Sequence, residues 1–226
     1  MSCKHGLRLR RLHRPHRASL GLPGGLGACD LGGFQVSRQP DKHNQVNLYL
    51  VGFMGTGKST LGRLVARQLG LRFLDSDHEI ERRQKRTIPD IFAQDGEAAF
   101  RAMEKDFIEG GHPATGCVVA CGGGLVCQAG MGRLLKGRGV VIGLFASVPT
   151  ILDRVSRNQN RPLLNVPDRE QRIRELLDRR LPYYLDAGVG ITTEGRAVRE
   201  VVNHIIRIYR DEARRFAQKR QGVASD

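Results

Sequence analysis

The chain has 226 residues, 40% of them apolar, no tryptophan and a formal net charge of +14. That length suits one domain with an appendage, and no apolar run approaches the roughly 18–20 residues a membrane-crossing helix needs, so no membrane partner is expected. The basic balance admits nucleic acid or anionic small ligands, whose phosphates and carboxylates demand several cations; without a stacking-aromatic motif or zinc-finger spacing, nucleic acid is not expected.

Residues 1–45 hold Lys4, Arg8, Arg10, Arg11, Arg14, Arg17, Arg38 and Lys42 against Asp30 and Asp41, a local +6 that leaves +8 for the rest. They are rich in Arg, Gly, His and Pro and show no hydrophobic period, which predicts a basic, disordered extension. Its Arg-rich, acid-poor character through Gly27 resembles an organelle transit peptide. A basic tail, or a start site placed too far upstream, would look the same, and the three readings stay open. A secretory signal does not fit, because no continuous apolar core follows the charges. The expected location is the cytoplasm for a bacterial source and the plastid for a plant source. The domain is expected over 46–217, with a short tail at 218–226 and a monomeric state.

From Val46 the chain alternates strand and helix. Leu48–Val51 reads as a short apolar strand, and Leu61, Leu64, Val65 and Leu69 recur at helical spacing after a glycine loop. Arg72–Leu74 reads as a second strand. Phe100, Met103, Phe107 and Ile108 form the stripe of a helix with Asp95 as its expected cap. Cys117–Cys121 and Val140–Phe145 are apolar enough to be strands buried on both faces. Ile173, Leu176 and Leu177 mark another helix, Val189–Thr192 a fifth strand, and Val198, Val201, Val202, Ile205 and Ile206 a closing amphipathic helix. Alternation of this kind implies a parallel sheet covered on both faces. The five cysteines are Cys3, Cys29, Cys117, Cys121 and Cys127. They contain no CxxC pair, which argues against structural zinc and for buried free thiols in a reducing compartment.

The segment Gly52-Phe-Met-Gly-Thr-Gly57-Lys58-Ser59 matches G-x-x-x-x-G-K-[ST] between a strand and a helix. Glycines there let backbone N–H groups turn toward phosphate oxygens, and the helix N-terminus adds its positive dipole. Lys58 is expected on the β- and γ-phosphates of a nucleoside triphosphate, and the Ser59 hydroxyl on magnesium. Four fixed positions match by chance in a chain of this size on the order of 1% of the time, and the strand–loop–helix context lowers that further.

Many phosphate-loop proteins hold the metal with an Asp at the end of a later apolar strand. Here the third strand runs into Gly122-Gly123-Gly124, and the fourth has no Asp either; a GTPase-type NKxD motif is also missing. The nearest carboxylates are Asp75 and Asp77, at the end of the second strand. In an extended segment a spacing of two sends both to one side, so that one can organise magnesium-bound water while the other faces an acceptor hydroxyl.

Six segments, in order, carry a resemblance: Gly52–Thr60, Leu74-Asp75-Ser76-Asp77, Phe100-Arg101, Gly122-Gly123-Gly124, Arg161-Pro162-Leu163-Leu164 and Arg180-Leu181-Pro182-Tyr183-Tyr184. Together they resemble shikimate kinase, over about Val46 to Ile206. The resemblance implies a three-layer, P-loop NTPase-like α/β fold of nucleoside monophosphate kinase type, with a central five-stranded parallel sheet. It implies ATP as co-substrate with Mg2+, and shikimate, which carries one carboxylate and several hydroxyls, as acceptor. Gly55, Thr56, Gly57, Lys58, Ser59 and Thr60 match the nucleotide-binding loop. Arg101 and Arg180 match the arginines that grip the acceptor carboxylate, a task suited to a planar guanidinium. Asp77 matches the residue that bonds the acceptor hydroxyls and is the candidate base. Gly122, Gly123 and Gly124 match the backbone that approaches the acceptor, and Asp75 the residue associated with the magnesium water shell. Arg161 matches a lid arginine over the phosphates, within the polar, Pro-punctuated loop Arg157–Asp168. Arg154 and Arg196 are expected on the adenine side.

Each residue also has a plainer reading. Arg101 and Arg180 are ordinary surface charges in isolation, the triple glycine a turn, and Asp75 and Asp77 caps of a helix over Glu79–Lys85. Three other functions compete: a different small-metabolite kinase such as a gluconate kinase, a non-catalytic relative, and a nucleic-acid-dependent ATPase. The pairing of Arg101 and Arg180 beside the triple glycine argues against the first, and retention of Lys58, Asp77 and Arg161 against the second.

Overall fold

Alternating apolar strands and amphipathic helices fold as the sequence predicts. The computed structural model describes residues 46–156 and 168–223. In chain order the elements are β1 (Asn47–Gly52), α1 (Lys58–Leu69), β2 (Arg72–Asp75), α2 (Ser76–Gln84), α3 (Ile88–Gly110), β3 (Cys117–Ala120), a 3-10 turn (Leu125–Cys127), α4 (Met131–Arg138), β4 (Gly139–Phe145), α5 (Val148–Ser156), α6 (Arg169–Ala187), β5 (Val189–Thr192) and α7 (Val198–Val223). The five strands form one parallel sheet in the order β2-β3-β1-β4-β5.

The strand period of two sorts the core into two layers. Leu48 and Leu50 of β1 share one face with Val118, Val140 and Ile142. The helices α1 and α7 cover that face through Leu61, Val65, Val201, Val202 and Ile205. Tyr49 and Val51 point the other way, with Val119 and Val141, against Phe107, Ile108, Leu135, Ile151 and Ile173 from α3, α4, α5 and α6. Because every strand is parallel, all five carboxyl ends lie along one edge of the sheet, where open α/β sheets place their ligands. Gly52, Asp75 and the segment after Ala120 sit on that edge.

Three local expectations need correction. Asp95 does not cap a helix: α3 starts at Ile88, where Thr87 and Asp90 form a reciprocal capping box that satisfies the first free N–H groups. The Asp95 carboxylate pairs with Arg86 instead, and α3 kinks one residue later at Gly96, whose φ is 81°. Asp75 and Asp77 are not on one extended segment either. The chain turns into α2 at Ser76, and the Asp75 side chain caps that helix by accepting from the Asp77 N–H at 3.2 Å. Finally, α7 runs unbroken through residue 217 to Val223. Its Tyr209 hydroxyl donates to the Val46 carbonyl at 2.6 Å, tying the helix to the start of β1. No described helix is long and apolar enough to cross a membrane.

Candidate active site

The loop after β1 is shaped by its glycines. Gly52, Gly55 and Gly57 all have positive φ, a region that strains any residue with a Cβ. The turn is held by Thr56 Oγ1, which donates to the Phe53 carbonyl at 2.8 Å. Gly57 then caps α1 without a side-chain hydrogen bond, and the first turn of the helix holds no acidic residue. Its leading N–H groups, which have no partner within a helix, and the helix dipole therefore face outward, as an anion requires. Lys58 Nζ donates to the carbonyls of Gly52 and Phe53, each at 2.9 Å, and so lies across the loop.

Arg154 and Arg196, the two residues expected on the adenine side, lie on α5 and just before α7. Arg154 packs onto the loop from α5. Its guanidinium donates to the Gly55 carbonyl at 3.1 Å and to the side chain and carbonyl of Thr193 at 3.1 and 3.2 Å. It therefore braces the loop against the end of β5. Arg196 is exposed in the turn before α7. Thr60 is exposed on α1, and Arg161 lies outside the described residues.

Beside the loop, the Ser59 hydroxyl donates to Asp75 Oδ2 at 2.6 Å. Asp75 therefore has two partners, the Ser59 hydroxyl and the Asp77 N–H, and the capping reading of that residue holds. Ser59 and Asp75 offer two hard oxygen donors next to a phosphate-binding helix end. That set fits magnesium, which keeps several waters and takes one or two protein oxygens together with substrate phosphates. Among the described residues no group of three or more His, Cys, Asp or Glu gathers into a closed metal cage, and magnesium does not ask for one.

The segment after β3 organises the other half of the site. The Gly122 N–H donates to Ser76 Oγ at 2.8 Å, and the Tyr184 hydroxyl donates to the Gly123 carbonyl at 2.5 Å. Each glycine backs a different side chain. A Cβ on Gly122 would lie 2.4 Å from Asp77 Oδ1 and 2.8 Å from Glu104 Oε1. One on Gly124 would lie 2.8 Å from both terminal nitrogens of Arg101, and one on Gly123 would stand 3.9 Å from Arg180. Arg180 also stands over the Phe53 ring, at 6.0 Å from its centroid. The three acceptor-side residues named from the sequence thus converge on one backbone segment.

Glu104 was missed at the sequence level. It is fully buried, receives Arg101 Nη1 at 2.6 Å and Gln128 Nε2 at 2.8 Å on Oε2, and leaves Oε1 buried with no hydrogen bond. Burial pushes its carboxyl up to about 7, against the opposing pull of Arg101. A signal was present: Glu104 stands four residues after Phe100 and four before Ile108, inside the apolar stripe of α3. A charge in such a stripe has to be paired or functional.

A glycine loop that turns the free N–H groups of a helix start outward, beside two arginines set against one glycine-rich segment, has the form of a phosphate-loop kinase. The family model described as shikimate kinase matches residues 54–210. The chain belongs to the shikimate kinase family. It is 48% identical over 164 residues to the shikimate kinase of Acinetobacter baylyi, covering 72% of this chain and 91% of that one. With the Thermus thermophilus shikimate kinase it is 46% identical over 158 residues, covering 70% and 86%. Among solved structures, shikimate kinase from Acinetobacter baumannii in complex with shikimate superposes with a TM-score of 0.68 at 43% identity, covering 72% of this chain and 92% of that one. The three-layer fold with a five-stranded parallel sheet is thus the nucleoside monophosphate kinase-like arrangement expected, and the family takes ATP as co-substrate.

Proposed function

We infer that this protein transfers the γ-phosphate of ATP to the 3-hydroxyl of shikimate, giving ADP and shikimate 3-phosphate in chorismate biosynthesis. The observation that carries the assignment is the triple glycine, whose three residues stand against Asp77 (Gly122), Arg180 (Gly123) and Arg101 (Gly124). Two guanidinium groups suit a carboxylate, and a carboxylate suits the hydroxyl to be phosphorylated.

In this reading the N–H groups of the loop and of the first turn of α1 hold the phosphates, and Lys58 exchanges its two carbonyl partners for phosphate oxygens. Ser59 and Asp75 would hold Mg2+, which would supply neutralisation of the negative charge that develops during transfer. Arg101 and Arg180 fix the acceptor through its carboxylate. Asp77 accepts the hydrogen bond of the attacking hydroxyl and retains its proton as the new P–O bond forms. Its approach to Gly122, whose N–H is held by Ser76, limits how far it can drift, and positioning of this kind supplies much of the rate enhancement in phosphoryl transfer. The test is ADP release by the purified chain across shikimate, quinate, gluconate and nucleic acid. Turnover that requires shikimate is expected; its absence would overturn the assignment.

A further inference from the structure

Glu104 is more than the partner of an arginine. Its carboxylate is sealed from solvent, Oε2 is fixed by Arg101 and Gln128, and Oε1 accepts nothing. That bare oxygen crowds the same face of Gly122 as Asp77 Oδ1. A buried carboxylate oxygen without a donor is costly, and a proton satisfies it without moving the packing. Arg101 is at the same time the guanidinium assigned to the acceptor's carboxylate, and its other terminal nitrogen already donates to Glu97 at 2.9 Å.

We propose that Glu104, whose Oε2 holds Arg101 at 2.6 Å, is the proton-linked group of the acceptor site: it takes up a proton on Oε1 when the acceptor's carboxylate arrives at Arg101 and Arg180. The proposal rests on the assignment of those two arginines to the acceptor. Its electrostatic logic is direct. A second carboxylate on the shared guanidinium weakens the compensation that Glu104 receives, and an opposite charge drawn away from a buried acid favours its neutral form. The groups facing Glu104 are Arg101 on its own helix, Asp77 from α2, Arg180 from α6, and the thiols of Cys121 and Cys127 after β3. Both thiols are pushed up by burial and stay neutral near pH 7, so the charged neighbours are Arg101, Arg180 and Asp77. With Glu104 already poised at about 7 before the acceptor binds, a modest further rise moves it across neutrality. A bound-state pKa above the free-state one makes acceptor affinity greatest at low pH and weaker as pH rises through the bound value.

The experiment is calorimetric titration of the full chain with shikimate in buffers of differing ionisation enthalpy. We expect uptake of about half a proton per shikimate at about pH 7.5, near-zero uptake in Glu104→Gln, and partial restoration in Glu104→Asp. Shikimate affinity should weaken with rising pH in the parent and flatten in Glu104→Gln, while ATP binding, the control for folding, is unchanged. Shikimate binding without proton uptake in the parent would overturn the proposal even if the variant failed to fold. Undiminished uptake in a folded Glu104→Gln would overturn it equally. Failure of shikimate to bind at all would instead sink the acceptor assignment on which the proposal stands.

Discussion

Replacing Gly122 with alanine places one methyl group where the structure has no room for it. The added carbon would meet Asp77 Oδ1 at 2.4 Å and Glu104 Oε1 at 2.8 Å, closer than real Cβ atoms approach. Neither neighbour yields easily. Asp77 sits in the first turn of α2, anchored by the cap to Asp75; Glu104 is buried and bonded by Arg101 and Gln128; and Gly122 is itself tied to Ser76. Overpacking of this kind costs about 1–3 kcal/mol of stability. The functional loss should be larger, because moving Asp77 by roughly 1 Å removes its alignment with the hydroxyl, an effect of about 10²-fold on turnover. Steady-state kinetics with each substrate varied, beside thermal unfolding, tests this. We expect kcat to fall by about two orders of magnitude while the ATP KM stays within about threefold. A variant with kcat within about threefold of the parent would refute the reasoning from Gly122.

Arg101→Ala should raise the shikimate KM by about 10–100-fold, the worth of a charge-assisted hydrogen bond, and leave the ATP KM nearly unchanged; equal effects on both would contradict its assignment. Gly137→Ala adds a methyl with nothing within 4 Å in the last turn of α4, so it should stabilise by about 0.5–1 kcal/mol without altering kcat, as read by thermal unfolding. Glu104 should mark the pH dependence of stability: its folded-state pKa is raised from 4.5 to about 7, so its contribution is fully present below 4.5 and is lost as pH rises through 7. The melting temperature of Glu104→Gln relative to the parent should therefore improve from pH 5 to pH 8, and a constant difference would show that Glu104 titrates normally.

Continuous apolar runs and the G-x-x-x-x-G-K-S spacing made the five strands and the phosphate loop legible, because both signals are local. The helix α2 was harder. Its nine residues, SDHEIERRQ, bury only Ser76 and Ile80, so it exists through its Asp75 cap and its packing rather than through an amphipathic pattern. The same cap ends the extended segment at Asp75, so the period of two expected to carry Asp75 and Asp77 to one side does not reach Asp77. The bonds of Arg154 to Gly55 and Thr193 join elements distant in sequence and cannot be deduced from spacing. Glu104 was hidden because a glutamate three residues after an arginine reads as an exposed helical pair. In the fold only Glu104 of that pair is buried, in the apolar stripe of α3 beside the triple glycine, while Arg101 stays partly exposed.

The placement of β1 at the centre of the sheet also has a consequence for how the protein is made. Asn47, at its start, receives the Cys117 N–H from 70 positions downstream, and β1 then needs β4 on its other side. At about 5–20 residues per second, the phosphate loop leaves the ribosome on the order of several seconds before the strands that flank it. Through that interval the apolar stretch Leu48–Val51 has no sheet to join, and such non-local pairing is slow to form. The first part of the nucleotide site to be translated therefore waits for the later half of the chain to supply the strands that flank it.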